Sequence, residues 1–116
     1  MRIAIPTSNR TELFKRTGRT KEFAIFDVEN GSSTLVEYRA NPHKHEEEED
    51  KGHHEHSHAD IVQVLIDCDA LLVHTAGSNF RKDFDEADIP LFQTKQSLLL
   101  DVINIFASDM LRHKRI

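Results

Sequence analysis

Glu22-Phe23-Ala24-Ile25-Phe26-Asp27-Val28, then Asn30-Gly31, then Thr34-Leu35-Val36-Glu37-Tyr38-Arg39-Ala40 is the stretch on which the architecture turns. Both runs are rich in aromatic and β-branched residues, which suit a pleated, half-buried surface. Two such runs around Asn-Gly are the strongest short-range signal of a β-hairpin. Asn41-Pro42 ends it, because proline cannot continue a ladder. Upstream, Arg2 to Ile5 is a short apolar run that reads as a first strand stopped by Pro6. Between them, Thr7 to Thr20 has no period and reads as a long loop, a length that raises the prospect of function.

Downstream of the hairpin the pattern changes. Ser57 or Asp60 can cap a helix over about 59–67, with Ile61, Val62, Leu65 and Ile66 on one face. Ala70-Leu71-Leu72-Val73 is a continuous apolar run, expected of a strand buried on both faces. Gly77-Ser78-Asn79 turns the chain into a second helix over about 79–87. Ile89-Pro90-Leu91-Phe92 is a short last strand, with its proline at a first position or an edge. Ser97 caps a helix over about 98–112, whose stripe is Leu99, Val102, Ile103, Phe106 and Met110. Leu98 and Ile105 leave a second apolar side, which points to a homodimer contact through this C-terminal helix or to a wide groove. Strands, hairpin and alternating helices together predict an α/β layer architecture with one antiparallel hairpin on an otherwise parallel sheet.

The segment 43–58 stands apart. Six of its sixteen residues are histidine (His43, His45, His53, His54, His56 and His58) and six are acidic. Nothing in it is apolar, so it reads as a solvated, flexible loop over 42–58 on a single domain spanning 1–116. Neutral imidazoles beside carboxylates suit borderline divalent metals, and composition does not separate Zn, Ni, Co and Cu. In an extended backbone His54, His56 and His58 share a face; in a helix His54 and His58 do. The bland alternative is a polar tract with no ligand role. His54-Glu55-His56-Ser57-His58 matches His-Glu-x-x-His, but in so histidine-rich a tract chance matches are expected, and the chain has no space for a substrate-cleft domain.

Charge and cysteine content narrow the field. The net charge is −5, and the segment 43–58 contributes −4 of it, from six acids against Lys44 and Lys51. A near-neutral remainder gives no basic face for nucleic acid. The cations of Arg112–Arg115 read as the favoured end of a helix. Cys68, the only cysteine, lies between two acids that disfavour its thiolate, which points to a packed, inert thiol. His74 reads as a satisfied polar residue at a strand end. No start segment resembles a signal peptide and no apolar run is long enough for a membrane helix, so a soluble cytoplasmic protein is expected.

Several motifs in order carry a family resemblance: Arg2-Ile3-Ala4-Ile5-Pro6-Thr7, Gly18-Arg19, Lys21 to Val28, Asn41-Pro42-His43, Gly77-Ser78-Asn79 and Asp88-Ile89-Pro90. Over roughly 1–106 the chain resembles the dinitrogenase iron–molybdenum cofactor biosynthesis family. The resemblance implies a ribonuclease-H-like three-layer fold, with a five-stranded mixed sheet of order 3-2-1-4-5 and three helices. It also implies a non-enzymatic carrier of iron–sulfur or iron–molybdenum clusters. The family usually has His-Phe-Gly-Arg in the first loop; here the matching positions are Arg16-Thr17-Gly18-Arg19.

Two sites are therefore expected. One is the histidine segment with a divalent transition metal. The other is an anionic cluster held by Arg16, Gly18, Arg19, Gly77, Ser78 and Asn79, at neighbouring strand ends beside the switch point where α/β sheets bind ligands. Arg10 is a further cation candidate there. The bland readings are an ordinary strand-to-helix turn and surface arginines.

Overall fold

The computed structural model describes residues 1–42, 58–108 and 114–116 of the chain. Histidines 43 to 56, most of the expected metal ligands, lie outside the described residues. The strands are β1 (Arg2–Thr7), β2 (Glu22–Glu29), β3 (Ser32–Ala40), β4 (Ala70–Val73), β5 (Leu91–Gln93) and β6 (Lys114–Arg115), and the helices are α1 (Ala59–Val64), α2 (Ser78–Glu86) and α3 (Leu99–Ser108). They form one mixed sheet in the order β3-β2-β1-β4-β5-β6. Its first five strands have the order 3-2-1-4-5 that the resemblance implied. The pairs β1–β4 and β4–β5 are parallel, while β1–β2, β2–β3 and β5–β6 are antiparallel.

The hairpin turns as its sequence requires. Asn30 and Gly31 both have positive φ, 53° and 80°, and Glu29 pairs directly with Ser32. A two-residue loop with both residues left-handed matches the natural twist of the flanking strands. The pairing slips once, between Ile25 and Phe26, so that Val36 is an extra residue on the β3 edge.

The β4 run is buried throughout, with Ala70, Leu71, Leu72 and Val73 all at 0% exposure, because both sheet faces are covered. On one face α3 packs Leu99, Val102, Ile103 and Phe106 against Ile3, Ile5, Phe26 and Leu72. On the other, α1 and α2 pack Ile61, Leu65, Phe80 and Phe84 against Ala4, Phe23, Ile25 and Leu71. Three layers result, with two apolar cores divided by the sheet. No helix among the described residues is long and apolar enough to cross a membrane.

Four expectations need correction. First, β1 runs through Pro6 to Thr7. The Arg2 N–H and C=O both face the β4 side, so by alternation the Pro6 nitrogen does too. The β1–β4 pairing ends at Ala4–Leu71, so no ladder bond needs the missing donor. Second, α1 stops at Val64 and leaves Ile66 54% exposed, off the buried face. Asp67 is drawn instead toward Arg39 and Arg2, at 2.7 and 3.0 Å. Third, the second helix starts at Ser78. Fourth, Lys114 and Arg115 do not end a helix. They pair with Gln93 and Phe92, capping what would otherwise be the open edge of β5. Met110 lies outside the described residues. Leu98 and Ile105 are exposed, as a second apolar side requires.

Candidate functional site

Because β1 and β4 are parallel neighbours, the chain leaves both at the same end of the sheet, and two distant loops meet there. After β1, Asn9 starts a tight turn by accepting the N–H groups of Thr11 and Glu12 at 2.9 and 2.8 Å. The loop then returns as a single 3-10 turn, Thr17–Arg19. After β4, residues 74–77 lead into α2.

The two loops are stapled together. The Thr17 hydroxyl donates to the Thr75 carbonyl at 2.7 Å, and the Thr75 hydroxyl donates to the Lys15 carbonyl at 3.0 Å. Arg16 and Thr75 also form a parallel backbone bridge. From beneath, the Thr20 hydroxyl donates to the Thr7 carbonyl at 3.0 Å. From the hairpin side, the Asn41 amide donates to the Gly18 and Thr20 carbonyls at 3.2 and 2.8 Å. Polar side chains thus do here what a ladder does elsewhere: they satisfy the turn's carbonyls and fix its position.

Between the loops lies a cavity of about 380 Å³, lined by residues 16–19, His58 and residues 75–80. All six residues expected to bind an anionic cofactor, Arg16, Gly18, Arg19, Gly77, Ser78 and Asn79, line it. The Arg16 and Arg19 side chains pair with no carboxylate among the described residues. Gly77 is the residue before α2, no side chain among the described residues is seen to cap this helix, and its first turn has no acid. The positive end of the helix dipole and its leading N–H groups therefore face the same space as the two arginines. Chemically such an arrangement suits an anion.

Arg10, the third cation candidate, is elsewhere. It pairs with Glu22 at 3.0 Å and lies over the Tyr38 ring at 4.2 Å. That arginine pulls the Glu22 carboxyl below its usual range despite the burial of the group. A second, more apolar hollow of about 410 Å³ takes in Arg10, Tyr38, Leu35 and Leu98, and its one charged side chain is already committed.

The histidine sites resolve differently. His43, His45, His53, His54 and His56 lie outside the described residues. His58 is described, and it is not in a solvated tract: it is 8% exposed and precedes α1 in the cavity wall. Among the described residues no three His, Cys, Asp or Glu side chains are grouped so as to hold a metal ion. His74 does not line the cavity. Its carbonyl accepts from Gln93, and its buried Nδ1 has no partner among the described residues, which departs from the satisfied residue the sequence suggested. Cys68 is buried, as a packed thiol should be, and its thiol is pushed up to about 12, first by that burial and then by Asp67.

Sequence reasoning missed the residues that hold the site together. Thr17, Thr75 and Asn41 act through carbonyls of distant segments, which no local pattern signals. Asp83 and Phe80 were legible only as part of α2, where spacing three apart places both near one face.

The profile of the family described as Dinitrogenase iron-molybdenum cofactor matches residues 1–109. The chain belongs to this family. Solved structures agree on the fold. One, known by a locus name alone, has a TM-score of 0.73 at 21% identity, covering 100% of this chain and 95% of its own. A candidate dinitrogenase from Methanocaldococcus jannaschii has a TM-score of 0.69 at 12% identity, covering 100% of this chain and 94% of its own. A candidate NifB protein from Thermotoga has a TM-score of 0.63 at 21% identity, covering 98% of this chain and 91% of its own. No curated protein sequence matches. Membership of the dinitrogenase iron-molybdenum cofactor family points to a cofactor-related domain, a carrier or assembly protein.

Proposed function

We propose that the chain is a non-enzymatic carrier that holds an anionic metal–sulfur cluster, of iron–sulfur or iron–molybdenum type, as cargo in the cavity between residues 16–19 and 75–80. One observation carries this reading. Two arginines without carboxylate partners among the described residues and the uncapped start of α2 converge on one cavity. Charge-assisted hydrogen bonds from guanidinium and backbone N–H groups suit the surface sulfides and acid groups of such cargo. Both arginines are exposed, which favours exchange over permanent capture, as a carrier needs.

The experiment is anaerobic loading with a cubane iron–sulfur cluster reconstituted from ferrous iron and sulfide, followed by desalting and visible absorbance. The parent retains the chromophore. Arg16→Ala and Arg19→Ala together lose most of it, while Arg81→Ala, an exposed arginine on α2 outside the cavity lining, does not. Equal retention in all three rejects the cavity as the site.

A second reading concerns the histidine segment, and the placement of its flanks favours it. Asn41 is bonded to the 16–19 turn and His58 lies in the cavity wall, so two described residues flanking the segment lie beside the pocket. In this reading His43, His45, His53, His54 and His56 bind a divalent transition metal next to the cargo. Deletion of 43–57 separates the two. Calorimetric Zn or Ni binding is lost on deletion if the histidines are ligands, whereas cluster retention is kept or improved, since the deletion removes net negative charge.

A further inference from the structure

The two edges of the sheet are treated differently. Lys114 and Arg115 of β6 cover β5, whereas no described strand pairs with the outer side of β3. An open edge offers a row of unpaired N–H and C=O groups, and charged side chains are the usual guard against another strand. Here the charges are turned aside. Glu37 lies opposite Ile25 and Arg39 opposite Phe23, and those two belong to the core under α1 and α2, so both charges are on that face. There they pair with each other at 2.7 Å, and Arg39 also donates to the Val64 carbonyl at 2.8 Å.

On the other face the middle of β3 is apolar. Leu35 lies opposite Phe26, which belongs to the core under α3, and Val36 is the extra residue of the bulge. Leu35 and Tyr38 of β3, with Leu98 and Leu100 at the start of α3, line the hollow of about 410 Å³. Leu35, Val36, Leu98 and Leu100 are 44%, 41%, 45% and 66% exposed. Single exposed leucines are ordinary, but a group of them around one hollow beside an open edge marks a contact surface.

The chemistry of this patch selects a second copy of the chain. Its one charged lining residue, Arg10, is paired with Glu22 and lies over Tyr38, so it gives no handle to a partner chosen by charge. Two chains of net charge −5 can also meet there without setting unpaired like charges against each other. The hollow and the knob that can enter it, Leu100, share one patch, as a two-fold contact requires. A two-fold axis normal to the sheet lays β3 antiparallel to its copy and keeps both α3 helices on one side, so edge hydrogen bonds and leucine contacts form together. Nine strand residues span about 30 Å and the strand with its helix layer about 20 Å, giving roughly 600 Å² per copy, the lower end of a specific interface. The chain's own undescribed segments suit the hollow less: 43–57 has no apolar residue, and 109–113 leads to β6 at the opposite edge of the sheet.

We propose that the chain forms a two-fold homodimer in which β3 pairs antiparallel with its copy and the leucines at 35, 98 and 100 of each protomer close the other's hollow. No residue of the hollow lines the cargo cavity, so this stands independently of the carrier reading.

The test is sedimentation equilibrium of the full chain without metal or cluster, together with hydrogen exchange at low and high protein concentration. The expected result is twice the chain mass at the upper concentrations, with a Kd on the order of micromolar and β3 amides that exchange more slowly as the dimer fills. Leu100→Glu puts a charge at the hollow and Val36→Lys guards the edge, and each should weaken the dimer at least about tenfold. Ile66→Glu, at an exposed apolar residue just past α1 on the opposite face, should leave it unchanged. Thermal melts check folding, and Leu100→Ala replaces Leu100→Glu if that variant does not fold. A dimer indifferent to both patch variants, or one whose β3 amides gain no protection, overturns the proposal. A monomer at every concentration also overturns it and leaves the hollow to a different protein or to another part of this chain.

Discussion

Replacing Thr17 by valine should loosen the pocket without changing its charge. Thr17 is 2% exposed, and its hydroxyl makes the 2.7 Å bond that joins the 16–19 turn to the Thr75 carbonyl. Valine has nearly the same shape and keeps the β-branch, so packing is preserved and the hydrogen bond is what is lost. Two magnitudes compete. An orphaned buried carbonyl would cost about 1–3 kcal/mol, whereas a bond whose acceptor can turn to water costs about 0.5–1.5 kcal/mol. Thr75 is exposed, so water can reach its carbonyl and the lower range applies. We expect about 1 kcal/mol in a urea melt and a fall in Tm of a few degrees. The functional effect should exceed that share of stability, because the staple sets the spacing of the two loops. Cluster retention should drop several-fold even where the protein is fully folded. Thr75→Val, which removes the bond to the Lys15 carbonyl, should couple to it in a double-mutant cycle. A Thr17→Val protein with parental stability and parental retention would refute the view that these hydroxyls build the site.

Three further outcomes follow from the packing and the ion pairs. Phe84→Ala empties a fully buried site beneath Phe80 and should cost about 3–5 kcal/mol by denaturant titration. The Asp67 carboxyl is held well below the usual carboxylate range, chiefly by its hydrogen bonds from Arg39. Its contribution to stability is therefore present above about pH 4 and lost as the pH falls further, and Asp67→Asn should flatten that acid limb of a Tm–pH profile. With its thiol pushed up to about 12, Cys68 should resist iodoacetamide at pH 8 in the folded chain and react once urea unfolds it.

Much of this fold is visible in local sequence because its signals are local. Asn30-Gly31 adopts the positive φ values that its composition favours, and Ala70 to Val73 is as buried as its apolar run implies. What escaped depends on partners distant in the chain. Pro6 is tolerated within β1 only because β4 does not pair that far, and Lys114-Arg115 is a strand only because β5 would otherwise be an edge. Periodicity placed Ile66 on a buried face, but the helix ends two residues earlier and the chain turns where Asp67 meets two arginines. At the site, residues 16–19 and 77–79 could be brought together once the strand order was known. His58 could not be separated from its segment by composition, because its burial is imposed by Asp83 and Phe80 on α2.

A chain with a net charge of −5 is an unexpected host for the anionic cargo proposed above, and the pairing of its arginines bears on that proposal. Arg2 is held by Asp27 and Asp67, Arg10 by Glu22, and Arg39 by Glu37 and Asp67. Each is locally neutralised, and the Arg2 and Arg39 pairs stitch β1 and β3 to the turn after α1. Arg16 and Arg19 hold no such partner among the described residues, and both border the cavity. An unpaired surface arginine alone means little, since solvent accommodates it well. Two of them beside an uncapped helix start create a local field whose sign opposes that of the whole molecule. At physiological salt, screening over about 8 Å confines each charge to its neighbourhood, so the field inside the cavity is set by these groups rather than by the net total. The same reasoning limits the acids of 43–57: they weaken cargo binding only where they approach the pocket, and their effect should fade as salt is raised. Retention that depends on Arg16 and Arg19 but rises with salt would place the acidic segment close to the cargo, whereas retention that falls with salt would leave the two arginines and α2 as the dominant electrostatic contact.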